Sequence, residues 1–173
     1  MAPARPDLRI EALAPHHDRD GFASGVESLD RYLRSRAGQD VRRRTNGVFV
    51  LTEVEAPALV LGFYTLCASA LPSGEIPQAV RRHLPRYPLV STTLVGRLAV
   101  ARHRQGEGLG AIILADAVRR AHASAATVGS SMLMVDALDE RAAAFYAANG
   151  FLPLPDSARM ILPMLTIRRM LEP

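Results

Sequence analysis

Apolar positions along the chain change period several times, and each change marks an element. Leu8 to Leu13 alternates weakly and predicts a short first strand. After a loop containing Asp18 to Gly21, Ser24-Gly25-Val26-Glu27 has capping-box spacing, which predicts a helix from there to about Gln39. Leu29, Tyr32 and Leu33 fall on one face of it at i, i+3 and i+4, with arginines on the other. From Thr45 the period becomes two. Val48 and Val50 alternate with Phe49 and Leu51, a turn follows near Glu55 to Pro57, and a second β-rich run occupies Leu59 to Cys67, so an antiparallel hairpin is expected.

Prolines then gather between Pro72 and Pro88, where Pro77 suits the first position of a short helix through Arg82 and the remainder reads as loop. Pro88 through Val100 is a long strand. Gly106 to about Ser124 is helical, with Leu109, Ile112, Ile113 and Ala117 on the buried face. Ser131 to Leu138 alternates again as a strand. Asp139 to Ala148 is a short helix whose acidic start complements the helix dipole and whose end is marked by Asn149-Gly150. Phe151 to Leu154 and Arg159 to Leu165 read as two final strands. Without internal repeats, this pattern predicts a mixed α/β sandwich with an antiparallel first half and a βαβ unit over residues 90 to 138.

With 173 residues, 49% of them apolar and 22% charged, the chain can bury one sizeable core, so a single domain over residues 1–173 is expected. The longest apolar stretch, around Pro57 to Ala70, is interrupted by Gly62 and too short to span a membrane, and the N-terminus lacks a signal-peptide apolar core. A soluble, cytoplasmic protein that avoids membranes is the expectation. The single cysteine, Cys67, sits in an apolar run and reads as a buried structural thiol. His16, His17, His83, His103 and His122 lack metal-site spacing, so no metal is expected. The net charge of +4 is modest, but all 21 of the chain's lysine-plus-arginine residues are arginines. They gather at Arg31, Arg34 and Arg36, at Arg42-Arg43-Arg44, and at Arg81, Arg82 and Arg86. Such clusters suit a polyanion, because guanidinium binds phosphate in a planar, bidentate way; ordinary solvated faces of an arginine-rich protein would look the same.

Gln105-Gly106-Glu107-Gly108-Leu109-Gly110 follows a strand and opens a helix. In that context clustered glycines let consecutive backbone N–H groups face one anion while the helix N-terminus adds partial positive charge. The spacing is not a Rossmann fingerprint, which is GxGxxG near a first strand, and no Gly-Lys-Ser/Thr follows to make a Walker loop. Phosphate binding and a plain tight turn remain as readings of the residues alone.

Gly96-Arg97-Leu98-Ala99-Val100 followed by Gln105-Gly106-Glu107-Gly108-Leu109-Gly110 resembles the strand-plus-Q/RxxGxG motif of the GNAT acetyltransferase superfamily. Phe22 to Leu33, Arg44 to Val50, Gly62-Phe63-Tyr64, Ala137-Leu138-Asp139 and Phe145-Tyr146 with Gly150-Phe151 extend the likeness from about residue 8 to 165, and resemble the TacT-like and AtaT-like toxins of bacterial toxin–antitoxin pairs. The resemblance implies a GNAT fold, with a mixed central sheet flanked by helices in which the strand ending at Val100 splays from the next. It implies that acetyl-CoA lies in that splay, with Leu98, Ala99 and Val100 along the pantetheine arm and the amides of Gln105, Gly106, Glu107, Gly108, Leu109, Gly110 and Ala111 around the pyrophosphate. Leu98 and Val100 also read as strand residues packed in the core.

In the family a tyrosine at the place of Tyr146 serves as general acid for the departing CoA thiolate, and the amide of Val100 polarises the thioester carbonyl during direct attack by an amine. Of the carboxylates, Glu53 and Asp136 lie on strands and Asp139 reads as a helix cap; none is identified as the base. The resemblance further implies an aminoacyl-tRNA α-amine as acceptor, with Arg42, Arg43, Arg44, Arg81, Arg82 and Arg86 as its approach surface and Arg97 held structurally in its strand. A ribbon-helix-helix antitoxin, operator DNA bound only through the antitoxin complex, and a homodimer contacting through its C-terminal strands or the helix after Pro77 complete the expected partners. Two alternatives stand beside this: a GNAT enzyme acting on a small-molecule, protein or peptide amine, and an acetyltransferase-like protein that acts by binding within a repressor complex.

Overall fold

A computed structural model describes residues 6–172. Seven strands form a mixed sheet in the order β1-β2-β3-β4-β5-β7-β6. They are β1 (Leu8–Ala12), β2 (Gly47–Glu53), β3 (Gly62–Pro72), β4 (Leu89–Val100), β5 (Met132–Asp136), β6 (Leu152–Pro153) and β7 (Arg159–Pro163). Six helices accompany them: α1 (Glu27–Ser35), α2 (Ala37–Arg43), α3 (Gln78–Arg81), α4 (Leu109–Ala125), α5 (Glu140–Ala148) and α6 (Met164–Leu171). β1 pairs antiparallel with β2, β4 runs parallel to β5, and β7 is antiparallel to both β5 and β6. The expected βαβ unit is β4-α4-β5. Among the described residues no helix is long and apolar enough to cross a membrane.

The chain divides into two units, residues 1–65 with Arg97–Asp116 and residues 66–96 with Ala117 onward. In the first, Phe22, Tyr32, Leu33, Ala37, Val48, Val50, Val60, Phe63, Ala99 and Ala101 form one apolar cluster. Phe22 meets Phe63 edge-on at 5.5 Å between centroids, and Tyr32 stacks on Phe63 at 6.2 Å, so the face expected for the first helix is the face that packs. In the second, Leu71, Ile76, Val90, Met132, Met134, Leu154 and Ile161 cluster, drawing on strands and the connector after Pro72.

Several elements differ from their sequence expectation. The first helix breaks at Arg36, giving α1 and α2. Its capping box does not close through Glu27, which is exposed and pairs with Arg31 and Arg34. Instead buried Asp30 reaches back, accepting from the Ser24 N–H at 2.9 Å and the Ser24 hydroxyl at 2.6 Å. α4 begins at Leu109 rather than Gly106, and Ile112 is exposed while Leu114 takes its place inside. The run from Arg159 stops as a strand at Pro163, which caps α6, because proline cannot donate to a ladder but suits a helix start. Cys67 is partly exposed rather than buried.

Candidate active site

β4 outlasts its parallel neighbour. The register sets Val95 opposite Val135, and β5 ends at Asp136, so Arg97, Leu98, Ala99 and Val100 run on beyond it. Ala99 is the residue buried there; Leu98 and Val100 are only half-buried, against the expectation of core packing for that pair. The strand then leaves the sheet in fixed steps: the Ala101 N–H donates to the Leu61 carbonyl and the Arg102 N–H to the Ala23 carbonyl, each at 2.8 Å. A 3₁₀ turn over Arg102–Arg104 leads into the glycine loop.

Gln105 fastens this loop through its side chain. Its Nε2 donates to the carbonyls of Ser24 at 2.8 Å and Val100 at 3.0 Å. Its backbone N–H already donates to Arg102 at 3.3 Å, so the amide expected to face a phosphate is engaged. From Gly106 to Ala111 the situation reverses. None of these backbone N–H groups finds an acceptor among the described residues, and the next N–H, that of Ile112, donates to the Gly108 carbonyl at 3.3 Å. Gly106 (φ 84°) and Gly108 (φ 81°) are left-handed, and nothing lies within 4 Å of a Cβ built on either. Glycine is therefore required by backbone conformation, not by lack of room. A run of free amides at the start of a 17-residue helix fits a pyrophosphate.

Arg104 is committed elsewhere, to Glu107 at 2.7 Å and Glu53 at 2.6 Å, which leaves Glu107 only its backbone for a ligand. Asp136 pairs with Arg159 at 3.1 Å, and Asp139 caps α5 by accepting from the Ala142 N–H at 2.8 Å. Each of the three carboxylates weighed as a base thus has a structural partner.

Tyr146 lies on α5, 7% exposed, with ring centroids 5.2 Å from Phe145 and 5.4 Å from Phe151. Gly150, at φ 92°, turns the chain after the helix, and the Phe151 N–H returns to the Tyr146 carbonyl at 3.1 Å. Burial in this aromatic setting pushes the phenol up to about 12, so it is neutral across the physiological range. Its hydroxyl bonds to no described residue.

The six arginines proposed for an acceptor surface are all exposed. Arg42 and Arg43 close α2, and Arg44 is its left-handed cap at φ 57°. Arg81 bonds Gln78 at 2.9 Å and Arg82 bonds His83 at 3.1 Å. One neighbour of these arginines escaped the sequence. A Cβ built on Gly38 would stand 2.8 Å from Arg19 Nη1 and 3.4 Å from Arg42 Nη1, so Arg19 joins the α2 group. Arg97 lies with its guanidinium carbon 3.6 Å from the Tyr32 ring centroid.

The histidines are less scattered than their spacing suggests. Ligand-type atoms of Glu11, His16 and His17 lie within 4.8 Å of one another. However, His17 Nδ1 accepts from the Ala14 N–H at 2.9 Å, which puts the proton of a neutral ring on Nε2, the atom 3.0 Å from Glu11. That nitrogen donates to the carboxylate and has no lone pair to offer a cation. The same hydrogen bond holds the Glu11 carboxyl below its usual range.

No family model matches the chain. Two relatives do over nearly its whole length: a "tRNA-acetylating toxin" of Mycobacterium tuberculosis (strain ATCC 25618 / H37Rv), 36% identical with 89% of this chain and 90% of that protein covered, and a "Probable toxin TacT" of Sinorhizobium fredii (strain NBRC 101917 / NGR234), 29% identical with 94% of each covered. Among solved structures, AtaT complexed with acetyl-methionyl-tRNAfMet superposes with a TM-score of 0.88 at 30% identity, covering 95% of this chain and 99% of that one. A tyrosine-to-phenylalanine mutant of AtaT, bound to the C-terminus of the antitoxin AtaR and acetyl-CoA, gives 0.81 at 28%, covering 96% and 99%. The AtaT–AtaR complex bound to DNA gives 0.76 at 29%, covering 94% and 99%.

Proposed function

This chain belongs to the tRNA-acetylating toxins of the GNAT type, and from that premise we propose that it transfers an acetyl group from acetyl-CoA to the α-amine of an aminoacyl-tRNA, which blocks that tRNA in translation. The observation that carries the proposal is the run of amides from Gly106 to Ala111 that find no acceptor among the described residues, opened by two left-handed glycines at the head of α4.

When bound, acetyl-CoA supplies an acyl thioester open to attack by a neutral amine. The amides of Gly106, Glu107, Gly108, Leu109, Gly110 and Ala111 hold its pyrophosphate, and the main chain of Leu98, Ala99 and Val100, running on past β5, pairs with the pantetheine arm as an added strand would. The Val100 N–H donates toward the thioester oxygen, where charge develops. Gln105 supports both tasks by tying the Val100 carbonyl to the loop. Tyr146 donates its phenolic hydrogen toward sulfur as the thiolate forms. An α-amine ordinarily titrates near 8, against about 10.4 for lysine, so a useful fraction is neutral at pH 7 without a dedicated base. This agrees with Glu53, Asp136 and Asp139 having other partners.

The exposed arginines at Arg42, Arg43 and Arg44, joined by Arg19, and those at Arg81, Arg82 and Arg86 supply a cationic approach for the tRNA phosphates. Neutralisation by a ribbon-helix-helix antitoxin, operator binding through the resulting complex, and a cytoplasmic site of action belong to the same reading. So does a homodimer, for which β6, at the sheet edge with Leu152 44% exposed, offers an apolar contact.

The test is acetyl transfer from labelled acetyl-CoA by the purified protein, with charged tRNA, deacylated tRNA, small amines and peptides as acceptors. Label confined to charged tRNA and recovered on the amino acid is expected. Label on small amines or peptides with none on charged tRNA would establish the alternative acceptor class, and no label on any acceptor would favour action by binding alone.

A further inference from the structure

We propose that Arg97 grips a phosphodiester of the acceptor's 3′ end and so positions the amine for transfer; this rests on the aminoacyl-tRNA reading above. Arg97 is on β4, three residues before Val100, and is half-buried. Its guanidinium lies over Tyr32, and among the described residues none of its N–H groups has a hydrogen-bond acceptor or an ion-pair partner. The nearby carboxylate, Asp40, is occupied: it accepts from the Tyr32 hydroxyl at 2.8 Å and from Asn46 Nδ2 at 2.9 Å. Those two bonds, the tyrosine's first, together with the Arg97 charge, hold Asp40 ionised to lower pH than usual.

The arrangement is a chain of orientation. Asn46 and Asp40 fix Tyr32, and Tyr32 fixes the plane of Arg97. A guanidinium stacked on a ring keeps its N–H donors along its edge, where a phosphate can be met by two parallel bonds. A half-buried cation left without an acceptor is unfavourable, so packing alone is a poor reason for arginine here. The cofactor's pyrophosphate already has the amides of the glycine loop, and its ribose 3′-phosphate is at the adenosine end, far from the thioester, so the phosphate that Arg97 would meet three residues from Val100 is one of the acceptor's. The exposed arginines would attract any RNA; a single oriented fork next to the transfer point would set where the aminoacyl end stops.

The test compares two minimal acceptors carrying the amino acid of the tRNA that the protein acetylates: 3′-aminoacyl-adenosine, which has no phosphodiester, and the 3′-aminoacyl-CpA dinucleotide, which has one. Wild type should favour the dinucleotide in kcat/KM by roughly 10- to 100-fold, the range of a charge-assisted bond pair. Arg97→Met should bring that ratio close to one, and Arg97→Lys, which keeps charge and stem but not the fork, should retain part of it and guards against a folding defect. An unchanged ratio in Arg97→Met, or an equal fall on both acceptors, overturns the proposal. A rise in the acetyl-CoA dissociation constant that accounts for the loss would assign the phosphate to the cofactor and overturn it too. Failure of the wild type to acetylate charged tRNA at all would instead sink the functional reading, and this proposal with it.

Discussion

Replacing Tyr146 with Phe deletes one oxygen from a side chain that is 7% exposed and sits between two phenylalanines. The ring contacts survive and no described residue loses a hydrogen-bond partner, so stability at pH 7 should move by less than about 1 kcal/mol. Catalysis should move far more. A phenol at about 12 is a weak acid beside a thiol near 8.5. Complete transfer of its proton to the thiolate is uphill by roughly 5 kcal/mol, from the difference of the two values at 1.36 kcal/mol each unit. In the proposed reaction Tyr146 would therefore donate a hydrogen bond while charge builds on sulfur, with the lasting proton coming from the attacking amine. Losing such a donor should lower kcat by about 100- to 1,000-fold. Single-turnover transfer from labelled acetyl-CoA to charged tRNA, beside calorimetric titration with CoA, measures both quantities. A variant within threefold of wild type, or a loss matched by weakened CoA binding, would refute the role.

The same burial has a consequence at high pH. Tyr146 keeps its proton in the fold up to about 12, against 10.0 in the unfolded chain. The native state thus binds more protons than the unfolded one between those values, and its stability falls as pH rises through that window. The contribution is complete below pH 10 and amounts to about 3 kcal/mol. Urea unfolding at pH 9 and at pH 11.5 should show about 2 kcal/mol of this drop in wild type beyond that of Tyr146→Phe. Parallel pH dependence in the two proteins would contradict it.

The loop and its anchor give two further expectations. Gly108→Ala places an L-residue in a left-handed conformation at a cost of about 1–2 kcal/mol, so the free amides re-aim and the acetyl-CoA dissociation constant, read by calorimetry, should rise by roughly 5- to 30-fold; unchanged affinity would mean that these amides do not hold the cofactor. Asp30→Ala leaves the buried Ser24 N–H without its acceptor and should cost about 1–3 kcal/mol in urea unfolding, with weaker acetyl-CoA binding as well, since the Ser24 carbonyl anchors Gln105.

The strand, glycine loop and helix were legible because they are contiguous: a period of two, then glycines, then a period near 3.6 all fall between residues 88 and 125. The three-residue error at the start of α4 is informative. Glycine spacing marks where the backbone can turn, but whether a given N–H closes a helical bond depends on φ at Gly106 and Gly108, and those two left-handed residues are what hold the helix back to Leu109. α6 was hidden because Arg159 to Leu165 is apolar at either period, and only Pro163 separates strand from helix.

Distance along the chain explains the rest. Gln105 reads as a motif position, yet its task comes from Ser24, 81 residues away. Arg97 looks like an arginine stranded in an apolar strand until Tyr32, on α1, is brought beneath it. Patterns of period and spacing reveal groups that act through backbone geometry within one segment. Side chains whose meaning lies in which donors are left unsatisfied become readable only once the remote partners are placed. The glycine loop and Arg97 both carry N–H groups without an acceptor among the described residues, the first within one segment and the second only once Tyr32 is brought beneath it, so glycine spacing pointed to the loop while the role proposed for Arg97 had no signal in its own segment.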